Sequence, residues 1–277
     1  MRASSGFLGV IGCPILEEEI VHSIVRDGDI SRVYVIETED SQNLLRKLRK
    51  CGARAEIRSV REDALDALPK DGFNLLVLMK SMALHEDPKR LRREVEAGVS
   101  LIGPICKSIV LFYGLCGNAF KNPSEMEQET GRRLTMLTDD EGRPVDDCIA
   151  AILGGTEGYI HLLKRYPGVF YLTPGWAENW RELIHKMELT RGLDKDDLSM
   201  LKWMFEVAGY KKALKLETGL GDAESFEHHV DDFVREFNFE KATLEKEFIT
   251  LEAVERSYER AKRAMVAEDD GLCTRHD

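Results

Sequence analysis

The chain has 277 residues, of which 43% are hydrophobic and 32% charged, and its formal net charge at pH 7 is −11. This composition is typical of a globular protein with room for one large or two modest domains. The negative charge argues against nucleic acid as the main partner, because phosphate binding needs a basic surface. No run approaches the ~20 apolar residues of a membrane span. The N-terminal residues show no signal-peptide pattern, so we expect a cytoplasmic protein without a membrane anchor.

Strand and helix patterns alternate along the first half of the chain. Strands are predicted near residues 7–12, 32–37, 54–59, 74–79 and 108–113, and helices between them near 15–27, 39–50, 62–68 and 88–98. Such alternation predicts an α/β fold with a parallel, Rossmann-like sheet and right-handed crossovers.

The second half of the chain is richer in helix. After a polar stretch over residues 121–143, helical patterns are predicted near 145–166, 176–191, 195–208, 223–236 and 251–267. Strands near 212–217 and 245–250 either extend the first sheet or form a second, smaller α/β lobe. We therefore expect a parallel α/β domain over residues 1–120 and a helix-rich lobe over 121–277 that completes the functional site.

Three of the six cysteines fall where a parallel sheet brings side chains to one edge. Cys13 ends the first strand pattern, Cys116 follows the fifth, and Cys148 begins a helical stretch. Ligands of such sheets bind beyond the carboxyl ends of the strands, where the strand order reverses. In a cytosolic protein these thiols are better candidates for metal binding or reactivity than for disulfides. The alternative is that they pack as small hydrophobic residues.

His85 follows the fourth predicted strand and would emerge at the same edge. With the three cysteines it makes a Cys₃His set, which suits zinc and could also serve an iron–sulfur cluster. The spacing is long and irregular, unlike the paired cysteines of a zinc finger. The motif alone therefore does not distinguish zinc from an iron–sulfur cluster.

The segment from Tyr113 to Asn118 contains two glycines around the second cysteine. Gly114 and Gly117 would let the backbone approach a ligand closely at a strand-to-helix turn. We therefore predict a cofactor-binding role for Tyr113, Gly114, Gly117 and Asn118. The alternative is a tight turn in which Cys116 merely packs.

Further candidates lie in the second half of the chain. Asp146 or Asp147 is a natural N-cap for the helix that Cys148 begins, and the other carboxylate could be a metal ligand or could orient His85, a role we predict for Asp147. Gly154 and Gly155 either end that helix or approach a ligand. Trp176, four residues before a second tryptophan, either packs in the core or forms a flat wall over a planar ligand.

Several of these segments together resemble a known family. They are Cys13 with Glu19 six positions on, Leu84-His85-Glu86-Asp87-Pro88, Tyr113 to Asn118, Asp147-Cys148-Ile149 with Leu153-Gly154-Gly155, Thr173 to Trp176, and Glu217 to Asp222. Over residues 7–222 the chain resembles an uncharacterised domain of unknown function found in methanogenic archaea and other anaerobes. One departure concerns Arg143-Pro144, where the family has these two residues in the opposite order.

The resemblance implies a context rather than an activity. Genes of this family often lie beside corrinoid-dependent methyltransferases, which implies a role in anaerobic one-carbon metabolism with a corrinoid protein or methyltransferase as partner. It also implies that Glu19 lies next to the cysteine ligands without itself coordinating the metal. The protein would then be a metal-dependent methyltransferase using zinc, or a redox accessory using an iron–sulfur cluster, with any corrinoid supplied by the partner. The alternative is a non-catalytic cofactor-binding or docking module.

Overall fold

The structure is a computed structural model that describes residues 5–120, 123–187, 190, 197–244 and 248–266. The chain forms two parallel sheets, as the α/β prediction required. The larger sheet has the order β3-β2-β4-β1-β5-β6 and the smaller one β7-β8-β9. The strands are β1 Gly6–Gly12, β2 Arg32–Ile36, β3 Glu56–Val60, β4 Phe73–Met79, β5 Cys106–Phe112, β6 Leu134–Met136, β7 Val169–Leu172, β8 Lys212–Lys215 and β9 Glu240–Thr243.

Helices connect and cover these strands. They are α1 Glu17–Arg26, α2 Ser41–Lys50, α3 Pro88–Ile102, α4 Pro123–Thr130, α5 Cys148–Ala151, α6 Thr156–Arg165, α7 Pro174–Lys186, α8 Ser199–Val207, α9 Ala223–Phe237 and α10 Glu252–Ala264. Short 3-10 turns occupy Pro14–Leu16, Glu62–Ala67 and Leu84–Glu86. Among the described residues, no helix is both long and apolar enough to cross a bilayer.

The central strands are apolar throughout because helices cover both faces of the sheet. On β1, Leu8 and Val10 pack in the core beneath α1, α2 and α10, while Phe7 and Ile11 pack in the core beneath α3. A parallel sheet covered on both faces requires this pattern, since successive side chains point to opposite faces. The continuous apolar runs that predicted these strands therefore reflect two separate cores.

This arrangement creates a topological switch at the carboxyl end of β1. Helix α1, which follows β1, packs on one face, whereas α3 and α4, which follow the neighbouring strands β4 and β5, pack on the other. The connections therefore diverge on either side of β1, at the position where ligands bind in sheets of this type.

The later chain contributes to both sheets. Strand β6 extends the larger sheet beside β5, and α10 packs against β5, β6 and α1, where Tyr258 donates a hydrogen bond to Asp27 at 2.9 Å. Helices α4 and α5 also pack in the cores of the larger sheet, through Met126 and through Ala150 and Ala151. The first sheet and its layers thus include β6, α4, α5 and α10 from beyond residue 120.

Some local predictions differ from the structure. The strand predicted near 212–217 is β8 of the smaller sheet, and β7 lies in a segment expected to be a loop. The strand predicted near 245–250 falls partly on residues 245–247, outside the described residues; the described part holds an isolated bridge between Thr250 and Leu153. The ends of the helices predicted at 176–191 and 195–208 also fall partly outside the described residues.

Candidate functional site

The structure brings the three predicted cysteines together at the carboxyl edge of the larger sheet. Cys13 directly follows β1, Cys116 lies four residues beyond β5, and Cys148 is the first residue of α5. The Cys116 and Cys148 thiols both interact electrostatically with Cys13, and Cys148 also with Cys116. Each residue is partly buried, so a small ion can reach the group. We call these cysteines, with Tyr113 and Trp176, the thiol site.

Backbone pairing holds Cys116 beside the start of α5. The Leu115 and Cys116 amides donate to the Val145 and Asp146 carbonyls, both at 2.8 Å. Gly114 makes this approach possible, because a Cβ there would lie 2.7 Å from the Val145 carbonyl oxygen. The glycine is therefore required by the crossing of two chain segments, and a ligand contact at Gly114 stays a prediction.

Left-handed backbone is concentrated around the site. Ala83, Cys116 and Asn118 have φ values of 61°, 43° and 65°. Such conformations cost a non-glycine residue about 1–2 kcal/mol, and they persist only where the surrounding structure imposes them. The turn that carries Cys116 is thus held in an unfavourable conformation, as is common at functional sites.

Burial keeps all three thiols protonated. It raises the pKa of Cys13 to about 12, with the charges of Asp40 and Glu17 adding to the effect. Burial likewise raises the pKa of Cys116 to about 12 and that of Cys148 well above its ordinary value, although a hydrogen bond with Trp176 partly opposes the latter shift. Reactive cysteines need a lowered pKa. The thiols of this site are therefore poor nucleophiles at neutral pH.

His85 lies at the rim of the site. It belongs to the 3-10 turn after β4 and is exposed, yet the protein around its ring lowers its pKa through desolvation, against the charges of Glu86 and Asp147. Gly117 lies beside this turn, since a Cβ there would be 3.6 Å from the His85 carbonyl oxygen. Asn118, the next residue, is exposed. Asp147 is thus an electrostatic neighbour of the His85 imidazole.

Asp147 is the N-cap of α5, as predicted. Its Oδ1 accepts hydrogen bonds from the amides of Ile149 at 2.9 Å and Ala150 at 2.8 Å. Burial raises the pKa of the carboxyl group, and these two hydrogen bonds oppose that effect. The carboxylate therefore fixes the position of Cys148 and is also an electrostatic neighbour of His85.

The other predicted residues form turns around the site. Gly154 and Gly155 have φ values of 78° and 125° and connect α5 to α6. A Cβ on Gly155 would lie 2.6 Å from Asp139 Cβ, so the turn itself requires this glycine. Trp176 lies in the first turn of α7, edge-on to Phe170 at 5.6 Å between ring centroids. Its hydrogen bond with Cys148 makes it part of the thiol site.

A group of buried charges lies next to Cys13, and of its members only Glu19 was predicted to belong to the site. The carboxylate cluster consists of Glu17, Glu18 and Glu19 at the start of α1, Glu178 on α7, and Lys47 on α2. Lys47 Nζ lies 2.9 Å from Glu17 Oε2, 2.7 Å from Glu18 Oε1 and 2.5 Å from Glu178 Oε2. Burial alone would lower the pKa of Lys47, but the charges of these carboxylates raise it above its ordinary value. One lysine thus holds carboxylates from α1 and α7, two helices far apart in the sequence.

Two carboxylates of this cluster are incompletely satisfied. Glu17 Oε1 and Glu19 Oε2 are buried and have no hydrogen-bond partner within the described part of the chain. Burial raises the pKa of both groups to about 7. Three consecutive glutamates suggest an exposed helix start that favours the dipole. The sequence nevertheless contains a pattern that predicts burial of Glu17. This residue precedes the core residues Ile20 and Ile24 by three and seven positions and so lies on the buried face of the helix.

Among the described residues, no three His, Cys, Asp or Glu side chains are already arranged to hold a metal ion. A comparison with family models gives a match over residues 79–257 to the family described as "Protein of unknown function (DUF1638)". The matched region is well over half of the chain and includes His85, Cys116, Cys148 and Trp176. A search of curated proteins gives no match.

Proposed function

The chain belongs to the DUF1638 family, whose description carries no activity, and we propose from the site itself that the protein binds a thiolate-ligated metal centre. The centre is zinc or an iron–sulfur cluster, held by Cys13, Cys116 and Cys148. The observation that carries the proposal is that three cysteines from separate elements lie at the carboxyl edge of the sheet, at its switch point, where Cys13 packs against the same apolar clusters as Cys116 and Cys148.

The chemistry of the thiols supports a metal more than a free nucleophile. Their pKa values are raised, so at neutral pH they carry protons that only a strong competitor displaces. A coordinating metal ion deprotonates a thiol outright. Loading also requires the three side chains to turn towards a shared centre. Three thiolates leave a fourth ligand position, for which His85 and Asp147 are the nearest candidates.

We also propose that the centre works in anaerobic one-carbon metabolism, as the resemblance implies. When bound, zinc would lower the pKa of a substrate thiol, whereas an iron–sulfur cluster would deliver electrons to a corrinoid held by a partner protein. In either case the chain's own residues bind the centre and fix its orientation. The support for this context is the family's gene neighbourhood.

Anaerobic purification followed by analysis of iron, zinc and acid-labile sulfide tests the proposal. We expect a stoichiometric metal content in the wild type and its loss in Cys13→Ser, Cys116→Ser and Cys148→Ser. Cys106→Ala and Cys51→Ser are matched controls, because Cys106 is buried at the start of β5 and Cys51 is exposed after α2. A brown protein that contains sulfide indicates an iron–sulfur cluster, and a colourless protein that contains zinc indicates a zinc centre.

Two results would contradict the proposal. One is a folded wild type that takes up neither zinc nor a cluster, which would favour the docking or cofactor-binding module. The other is equal metal content in the site variants and the controls. His85→Ala assigns the fourth position: reduced metal content supports ligation, and unchanged content places His85 beside the metal as a proton carrier or structural residue.

A further inference from the structure

Tyr113 has a buried hydroxyl with no hydrogen-bond partner among the residues that the structure describes. The residue directly follows β5, is 4% exposed, and packs against Phe120 with ring centroids 5.9 Å apart. Buried hydroxyls in native proteins are nearly always hydrogen-bonded, because an unpaired one forfeits its hydration without compensation. A phenylalanine would fill the same space without this loss. The hydroxyl therefore calls for an explanation from a bound group.

The surroundings of Tyr113 place it at the thiol site. Its electrostatic neighbours are Cys13 and Cys116, followed by Asp40 and Glu94. A tyrosine hydroxyl carries its proton at neutral pH and can act as a donor. Neutral thiols are weak acceptors, whereas thiolates, sulfides and metal-bound oxygen atoms are strong ones. Metal loading would thus create the missing acceptor.

We infer that the Tyr113 hydroxyl donates a hydrogen bond to the loaded centre, either to a thiolate sulfur or to a ligand atom on the metal. The inference rests on the proposed function and deepens it. Outer hydrogen bonds of this kind orient ligands, stabilise the bound metal and, in clusters, raise the reduction potential. Tyr113 is thus a positioning residue of the centre. In the metal-free protein its unpaired hydroxyl lowers stability, because the group has lost its hydration without gaining a hydrogen bond.

The test compares Tyr113→Phe with Tyr34→Phe in the full-length protein. Tyr34 is a close match: it lies on β2 in the same core as Tyr113, is 2% exposed, and also has a buried hydroxyl without a partner. We expect neither substitution to lower the melting temperature of the metal-free protein. We expect only Tyr113→Phe to weaken Zn²⁺ binding, by about 10- to 100-fold in competition with a chromophoric chelator.

Where the wild type takes up an iron–sulfur cluster instead, the readout is the reduction potential, which should fall in Tyr113→Phe alone. Equal affinity or potential in the wild type and both variants would overturn the inference while leaving the proposed function intact. A wild type that binds neither zinc nor a cluster would overturn the proposed function itself. Equal weakening in both variants would show a general effect of core hydroxyls and would also refute the role of Tyr113.

Discussion

Replacement of Glu19 by glutamine should change how the stability of the protein depends on pH. Glu19 is 2% exposed, and its Oε2 has no hydrogen-bond partner. Burial raises its pKa from 4.5 to about 7. The folded state therefore binds a proton more tightly than the unfolded state does. Between about pH 4.5 and 7 the folded protein carries more protons, so this residue makes stability fall as pH rises through that window.

The size of the effect follows from the shift. A change of about 2.5 pKa units corresponds to about 3 kcal/mol in the free energy of unfolding. This stabilising contribution is present below pH 4.5 and absent above about pH 7. Glutamine has nearly the same shape and is neutral at every pH. Glu19→Gln should therefore lie within about 1 kcal/mol of the wild type near pH 5 and exceed its stability by up to about 3 kcal/mol at pH 8.

Urea unfolding at pH 5, 6, 7 and 8 measures this difference. Glu62→Gln, at an exposed glutamate, is the control and should leave the pH profile unchanged. Part of the wild-type slope should remain in Glu19→Gln, because the pKa of Glu17 is raised in the same way. If Glu19→Gln retained the full wild-type slope, or were the less stable protein at pH 8, Glu19 would be ionised without penalty and the reasoning would be refuted.

Three further predictions concern packing, charge and metal loading. Gly175→Ala should lower the free energy of unfolding by about 3 kcal/mol, because its Cβ would lie 2.0 Å from the Ile15 carbonyl oxygen. Gly28→Ala is the control and should have little effect in the same urea assay, because the nearest atom to its Cβ would be 4.0 Å away. Lys47→Met should cost about 3–5 kcal/mol, because three carboxylates lose their cation, whereas Lys50→Met, in an exposed ion pair, should cost less than about 1 kcal/mol. Zinc binding at pH 7 should release between two and three protons per ion into a weakly buffered indicator solution, and its apparent affinity should rise with pH; release of less than one proton would show that the thiols are already ionised.

The architecture of the larger sheet follows from the sequence because its determinants are local. Apolar runs such as Leu75–Leu78 are bounded by turn residues and alternate with amphipathic segments, and this alternation permits little besides a parallel sheet. Strand β7 escaped prediction because it has four residues between Pro167-Gly168 and Pro174, and these neighbours are typical of a loop. The role of β6 and α10 in the first sheet's layers depends on long-range packing that no local pattern encodes.

The residues of the candidate site likewise include some whose positions follow from local sequence and others whose positions depend on long-range packing. The positions of Cys13 and Cys116 could be predicted, because the carboxyl ends of parallel strands meet at one edge. Burial of the carboxylate cluster could not be predicted, because it depends on Glu178 of α7, which reaches Lys47 from 131 positions away. His85 was correctly placed after its strand, but whether it faces solvent depends on the turn at Leu84–Glu86.

The carboxylate cluster and the thiol site are electrostatically coupled, and this coupling sets the expected proton count. The charge of Glu17 helps to raise the pKa of the Cys13 thiol. Zinc with three thiolates carries one net negative charge, whereas the free thiols carry none. Loading should therefore raise the pKa of Glu17 further, and since that pKa is already about 7, part of the released proton is taken up by this carboxylate. This uptake is why fewer than three protons should reach solvent. In Glu17→Gln the uptake is absent, so release should approach three protons and zinc should bind more tightly, because one negative charge has been removed beside the centre.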